Sequence, residues 1–181
     1  MQNQTDALDN VDNLVPTSEV YRYFEKTLQL TPRTIQWYAT EGLIPKPVRQ
    51  GRDAFYDPEE SQIYHLVHII CELQRRFELR LWKIKEILKK YKGQHLGKLR
   101  LLLEQAEESY PALVPDEYGR PYLDDHNELV RTVLLSKLRE SVPIDQLSLL
   151  EIEREADQYE QPTPAVPKKE ASAQETGEVP F

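Results

Sequence analysis

From Val15 to about Glu160 the apolar residues recur at steps of three and four, the spacing of helices that bury one side. Val20, Tyr23, Phe24 and Leu28 form the first stripe, with Thr17 as a capping residue after Pro16. A short break at 28–30 leads to Thr31 as N-cap and Pro32 at the first helical position, where its missing N–H costs nothing. Ile35, Tyr38 and Ala39 give this second helix a buried side, and Gly42 ends it. Two short helices across a tight break predict a helix-turn-helix over 17–41.

The pattern then changes. Pro45 and Pro47 forbid helix, Gly51 supplies a turn, and Ala54-Phe55-Tyr56 suits a short strand. A loop or hairpin over 45–56 carrying Lys46, Arg49 and Arg52 is what a DNA-binding wing looks like. Asp57-Pro58-Glu59-Glu60 is a capping box opening a long helix, with Ile63, Leu66, Val67, Ile70, Leu73 and Phe77 at helical spacing. A further helix runs from Leu81 to Tyr91, basic opposite its apolar face.

After Gly93, the residues Leu96, Leu99, Leu103, Ala106 and Tyr110 follow steps of 3, 4, 3 and 4. This makes 93–110 a candidate dimerisation helix, with packing on the chain's own domain as the alternative. Prolines and Gly119 interrupt 111–122. A helix capped by Asp124 or Asp125 follows, and Pro143 breaks it. Ile144 to about Tyr159 is the last, with Leu147, Leu150 and Ala156 as its buried side. Residues 123–160 thus form a helical C-terminal region whose apolar face needs a partner, in this chain or another. Residues 1–13 and 161–181 lack the apolar content to order themselves and read as disordered ends. The fold class is mainly α.

Composition narrows the chemistry. Apolar residues make up 39% of the 181, and mean hydropathy is -0.65, consistent with part of the chain staying outside a core. One cysteine excludes an intrachain disulfide and any multi-cysteine zinc site. The polar, acidic opening does not read as a signal peptide, and no apolar run is long enough for a membrane span. A cytoplasmic protein, nucleoid-associated when bound to DNA, is expected. The net charge of -8 conceals an asymmetry. Residues 14–100 carry sixteen Lys or Arg against ten acids, whereas 101–181 carry seven against eighteen. A basic head suited to nucleic acid joined to an acidic remainder is the sharper reading of that split.

Thr31-Pro32-Arg33-Thr34-Ile35-Gln36-Trp37-Tyr38-Ala39-Thr40-Glu41-Gly42-Leu43-Ile44-Pro45 resembles the second helix and exit of the MerR family of transcription regulators. The usual form there is Ser-Pro-Arg-Thr-Ile-Arg-Tyr-Tyr-Glu-x-x-Gly-Leu-Ile. Gly51-Arg52 before Tyr56 resembles one variant of the family's wing, and 57–77 with 79–88 resemble the helix pair that follows. The resemblance implies a winged helix-turn-helix DNA-binding domain over 14–92. It also implies a homodimer joined through Leu96, Leu99, Leu103, Ala106 and Tyr110, acting on promoter DNA. Gln36, Trp37 and Ala39 replace the family's usual Arg, Tyr and Glu. Gln29 stands where Gly is common, and Arg80 where a Ser cap is common. The cysteines of the family's metal sensors are missing.

The expected DNA-contacting set follows. Arg33, at the second helical position, can reach base edges or phosphate, and in similar proteins this Arg contacts DNA. Thr34 and Gln36 come next, since Gln can pair with adenine through two hydrogen bonds. Tyr38 corresponds to a family Tyr that meets the DNA backbone, with core packing as its alternative. Trp37 can stack on sugar or pack against the wing. Lys46, Arg49 and Arg52 would neutralise phosphates or enter the minor groove. Thr17, Ser18 and Tyr56 complete the set.

His65, His68 and Cys71 are spaced like ligands, but packing is the expected role, and neither metal nor cofactor is expected. His95 and His126 look isolated. No catalytic triad, P-loop or dinucleotide fingerprint is present, so an enzyme is not expected. The reading is a sequence-specific, double-stranded DNA-binding regulator. RNA polymerase or another protein is a candidate partner for the C-terminal helices. An excisionase-like architectural or recombination factor, or a protein-interaction module with incidental DNA binding, are the alternatives.

Overall fold

The first helix, α1 (Thr17–Leu28), starts at Thr17 itself, with Pro16 in the N-cap position and no side-chain cap. Thr17 is therefore inside the helix and does not cap it. The computed structural model describes residues 13–160, so the expectations for both chain ends lie outside the described residues but for Asn13. Gln29 takes a left-handed conformation, φ 55°, where its N–H and that of Leu30 both donate to the Phe24 carbonyl. Helix α2 (Pro32–Thr40) follows, its first turn held by Thr31, whose hydroxyl accepts from the Thr34 amide at 3.3 Å. Val20, Phe24, Leu30, Ile35, Tyr38 and Ala39 are buried between the two helices and what lies beneath them. Gly42, φ 70°, then turns the chain away.

Strands β1 (Val15–Pro16), β2 (Val48–Gln50) and β3 (Asp53–Tyr56) form an antiparallel sheet in the order β1-β3-β2. Gln50 pairs with Asp53, so Gly51-Arg52 is a two-residue hairpin loop, with the positive φ of 64° on Gly51. The sequence predicts β3. It gives no sign of β1, whose two residues reach their partners Phe55 and Tyr56 from the far side of the helix-turn-helix.

The expected long helix from Asp57 is two helices. Asp57 caps α3 (Pro58–Ser61) by accepting from the Glu59 and Glu60 amides. Gln62 then takes φ 46° and separates it from α4 (Ile63–Arg75). The Gln62 side chain accepts from the Leu96 amide at 3.0 Å, satisfying an N–H at the start of a helix 34 residues on. Helices α5 (Leu81–Lys90) and α6 (Gly97–Ser109) follow close to their predicted spans.

A two-stranded hairpin, β4 (Val114–Pro115) and β5 (Pro121–Tyr122), occupies the proline-rich interruption. Asp116 organises its loop by accepting from the amides of Tyr118 and Arg120. Asp124 caps α7 (Asp125–Glu140). Past Pro143 the chain makes a 3-10 turn, Ile144–Gln146, and then α8 (Leu149–Glu160). Ala156 is buried as expected and Leu147 is half-buried. Leu150 points outward and Ile152 takes the buried place.

One core runs through all of this, from Val20 to Ala156. Helix α6 packs on α4, α8 and the 3-10 turn. Leu96, Leu99, Leu103 and Ala106 are consequently buried within the chain, and Tyr110 is half-buried. The expected dimer seam is thus a wall of the chain's own core. Steps of three and four mark a buried helix side, whichever surface covers it. The C-terminal helices find their apolar partner in the same way, against each other and against α5 and α6.

Candidate nucleic-acid interface

Helix α2 buries Ile35, Tyr38 and Ala39, and the 3.6-residue period turns Arg33, Gln36, Trp37 and Thr40 to the outside. Trp37 is 46% exposed, a large ring left uncovered on the outer face of α2. Thr34 is half-buried, its hydroxyl 3.0 Å from that of Thr31. Arg33 is exposed in the first turn of α2, beside the exposed Thr31 and Pro32, with Gln36 and Trp37 one turn on.

The hairpin β2-β3 presents the second group. Lys46, Arg49 and Arg52 are all exposed. Among the described residues, neither they nor Arg33 take part in a salt bridge. Uncommitted cations on an exposed hairpin can meet phosphates at little cost in lost internal contacts. Ser18 is exposed and Thr17 half-buried at the start of α1.

Two predicted contacts are placed elsewhere. Tyr38 is 2% exposed, and its hydroxyl donates to Gln74 Oε1 at 3.2 Å; burial pushes its pKa up to about 12. Tyr56 is equally buried, its hydroxyl without a hydrogen-bond partner among the described residues, and burial with the neighbouring Tyr21 pushes it up to about 12. Both rings belong to the packing beneath the helix-turn-helix and the hairpin. A phenol suits a core and an interface alike, and here the core has taken both.

The sequence reading passed over a further group on the same head. Arg75 Nη1 donates to the Leu28 carbonyl at 3.0 Å, tying the end of α4 to the end of α1. Arg80 is exposed just before α5, and Trp82 is 56% exposed with Lys83 Nζ 5.5 Å from its ring centroid. The interleaving of Arg75, Arg76, Arg80, Trp82 and Lys83 was the available signal.

The candidate ligands are mostly packed. His68 is buried, with Nε2 3.4 Å from the Tyr23 hydroxyl, and desolvation lowers its pKa to about 4. Cys71 is buried and pushed up to about 11, chiefly by desolvation, which makes it an unreactive thiol. His126 is not isolated. Its Nδ1 lies 2.9 Å from Glu160 Oε1 and 3.9 Å from Asp157 Oδ1, joining the start of α7 to the end of α8. These three are the only grouping with metal-ligand potential among the described residues, and they lie on the surface.

Residues 22–91 match the family model described as MerR HTH family regulatory protein. No curated protein and no solved structure matches the chain. The matched span runs from within α1 to the end of α5 and contains all three groups described above, but not Thr17 and Ser18.

Proposed function

From the premise that this chain is a DNA-binding regulator carrying a MerR-type helix-turn-helix domain at 22–91, we propose that it reads a specific operator in double-stranded promoter DNA as a homodimer. The observation that carries this reading is the outer face of α2, where Arg33, Gln36 and Trp37 are exposed on a helix whose other side is locked into the core. That face enters the major groove. Arg33 and Gln36 read base edges, Trp37 stacks at the groove wall, and Lys46, Arg49 and Arg52 hold the flanking backbone.

Non-catalytic regulation is part of the proposal, as are DNA-binding limits of 14–92 and a cytoplasmic location. Among the described residues no helix is long and apolar enough to cross a membrane. The second copy docks outside the buried seam, and the exposed Leu101 on the outer face of α6 is the apolar residue best placed for it. A protein partner is favoured by a separate observation, the exposed Tyr118, Tyr122 and Leu123 on and beside the β4-β5 hairpin. Such a partner adds to DNA binding and does not replace it.

Selection of bound sequences from a random duplex pool, followed by footprinting, tests the reading. A pseudo-palindromic site with two half-sites is the expected result. Recovery of no enriched sequence at low salt overturns it.

A further inference from the structure

A groove of about 570 Å³ lies between the exit of α2, the α3-α4 break, α5 and the start of α6. Its floor is apolar, formed by Ile44, Leu66 and Leu88 among others, and its rim carries Lys85, Lys89 and Lys92 against a single acid, Glu60. Lys89 and Lys92 are exposed and, among the described residues, join no salt bridge. A concave, mostly apolar surface of this size with a few charged groups at one edge has the form of a small-molecule site. The floor offers nothing to a bare phosphate, and the rim offers nothing to an uncharged hydrocarbon. We propose that the groove binds an amphipathic organic anion, its apolar body on the Ile44-Leu66-Leu88 floor and its carboxylate or sulfonate at the rim formed by Lys85, Lys89 and Lys92.

Lys85 gives this site a route to α2. Its Nζ donates to the carbonyl of Glu41, the residue that ends α2. A cation there also suits the negative end of the helix dipole. The ligand's anionic group shares that ammonium and draws it from Glu41, so occupancy loosens the C-terminal end of α2. The consequence for DNA rests on the role of α2 proposed above, whereas ligand binding itself does not.

Calorimetry on the full chain without DNA tests the site, using 4-butylbenzoate and its uncharged counterpart 4-butylbenzyl alcohol. Saturable binding of the acid is expected, with the alcohol at least about tenfold weaker. The Lys89→Met/Lys92→Met double variant, checked for fold by circular dichroism, weakens the acid by about tenfold. Lys98→Met, an exposed lysine outside the groove, leaves it unchanged. Equal binding of acid and alcohol, no saturable binding of the acid, or full affinity in the double variant overturns the site. Inorganic phosphate binding as tightly as the acid overturns the amphipathic assignment. DNA affinity measured with and without the acid then tests the link through Lys85, and an unchanged affinity at saturating acid refutes that link. A wild-type chain that binds no DNA contradicts the earlier reading and leaves the calorimetric result standing.

Discussion

The Tyr38 hydroxyl donates to the side-chain carbonyl of Gln74 at 3.2 Å, joining α2 to the last turn of α4. The bond adds to the burial of Ile35, Tyr38 and Ala39, which together set the rotation of α2 about its axis. With Tyr38 held inward, Arg33 and Trp37 have no choice but to face out.

Removing that hydroxyl should therefore act on stability and leave recognition alone. Tyr38→Phe is expected to cost about 0.5–1.5 kcal/mol, the net worth of one hydrogen bond. Thermal unfolding measures the loss, and anisotropy should find operator affinity nearly unchanged. Trp37→Ala should behave in the opposite way, with little loss of stability and clearly weaker binding. A large fall in affinity for Tyr38→Phe at intact fold would put its hydroxyl on the DNA after all.

Arg33 and Arg52 should separate base reading from charge neutralisation. Arg33→Ala is expected to cost about 1–3 kcal/mol on the preferred site and little on random DNA. Arg52→Ala should weaken both and lower the salt slope by about 1. Anisotropy on the two DNAs across a salt series reads both effects, and a uniform loss for Arg33→Ala would assign it to phosphate.

The two faces of α6 should respond differently. Leu99 is fully buried, so Leu99→Ala should cost about 2–5 kcal/mol through lost transfer energy and a cavity. Leu101 is 57% exposed, and Leu101→Glu should leave the unfolding midpoint nearly unchanged while shifting light-scattering mass toward the monomer. A dimer that survives Leu101→Glu places the second copy on another surface.

Acid should weaken the packing of α4 on α1 through His68, whose Nε2 faces the Tyr23 hydroxyl. Its folded pKa of about 4 lies below the reference value of 6.5, so the folded state resists protonation that the unfolded chain accepts. Its contribution is present above pH 6.5 and is lost as pH falls toward 4, on the order of 2–3 kcal/mol. Desolvation is the main cause, with Arg100 acting in the same direction and Glu104 against it. His65 is lowered too, first by desolvation, and adds with the same sign. Glu72 is raised by burial, so its protonation in the folded state offsets part of the loss. Denaturant unfolding of wild type and His68→Gln between pH 7 and 4 should show the variant losing less. Parallel curves would remove His68 from the account.

The helix-turn-helix was legible because its signals are local. Thr31, Pro32 and Gly42 mark the ends of α2 by chemistry confined to a few residues. The departures have non-local causes. Apolar periodicity runs straight through Gln62, and what bends the chain there includes a hydrogen bond to Leu96, 34 residues on. Strand β1 exists only through Phe55 and Tyr56, and the β4-β5 hairpin through the side chain of Asp116. At the site, the exposed cations could be read directly, since nothing nearby competes for them. Tyr38 falls on the apolar side of α2 with Ile35 and Ala39, so spacing already turns it toward the core, whereas its pairing with Gln74 leaves no trace in the sequence.

The buried Tyr91 sits just inside the expected C-terminal limit of the DNA-binding region, and its hydroxyl donates to the Val142 carbonyl at 2.8 Å. Lys90 reaches the Arg139 carbonyl beside it. A chain cut after Lys92 would keep every exposed residue of α2 and the hairpin and still lose the surface that covers α4 and α5. Such a fragment should aggregate or need a solubilising fusion, because Phe77, which Arg131 covers, and Tyr91 would face water. The join between reader and remainder is thus a solid weld and not a tether. Strain introduced at Val142 has a direct mechanical path to α5, and from there through Lys85 to the end of α2.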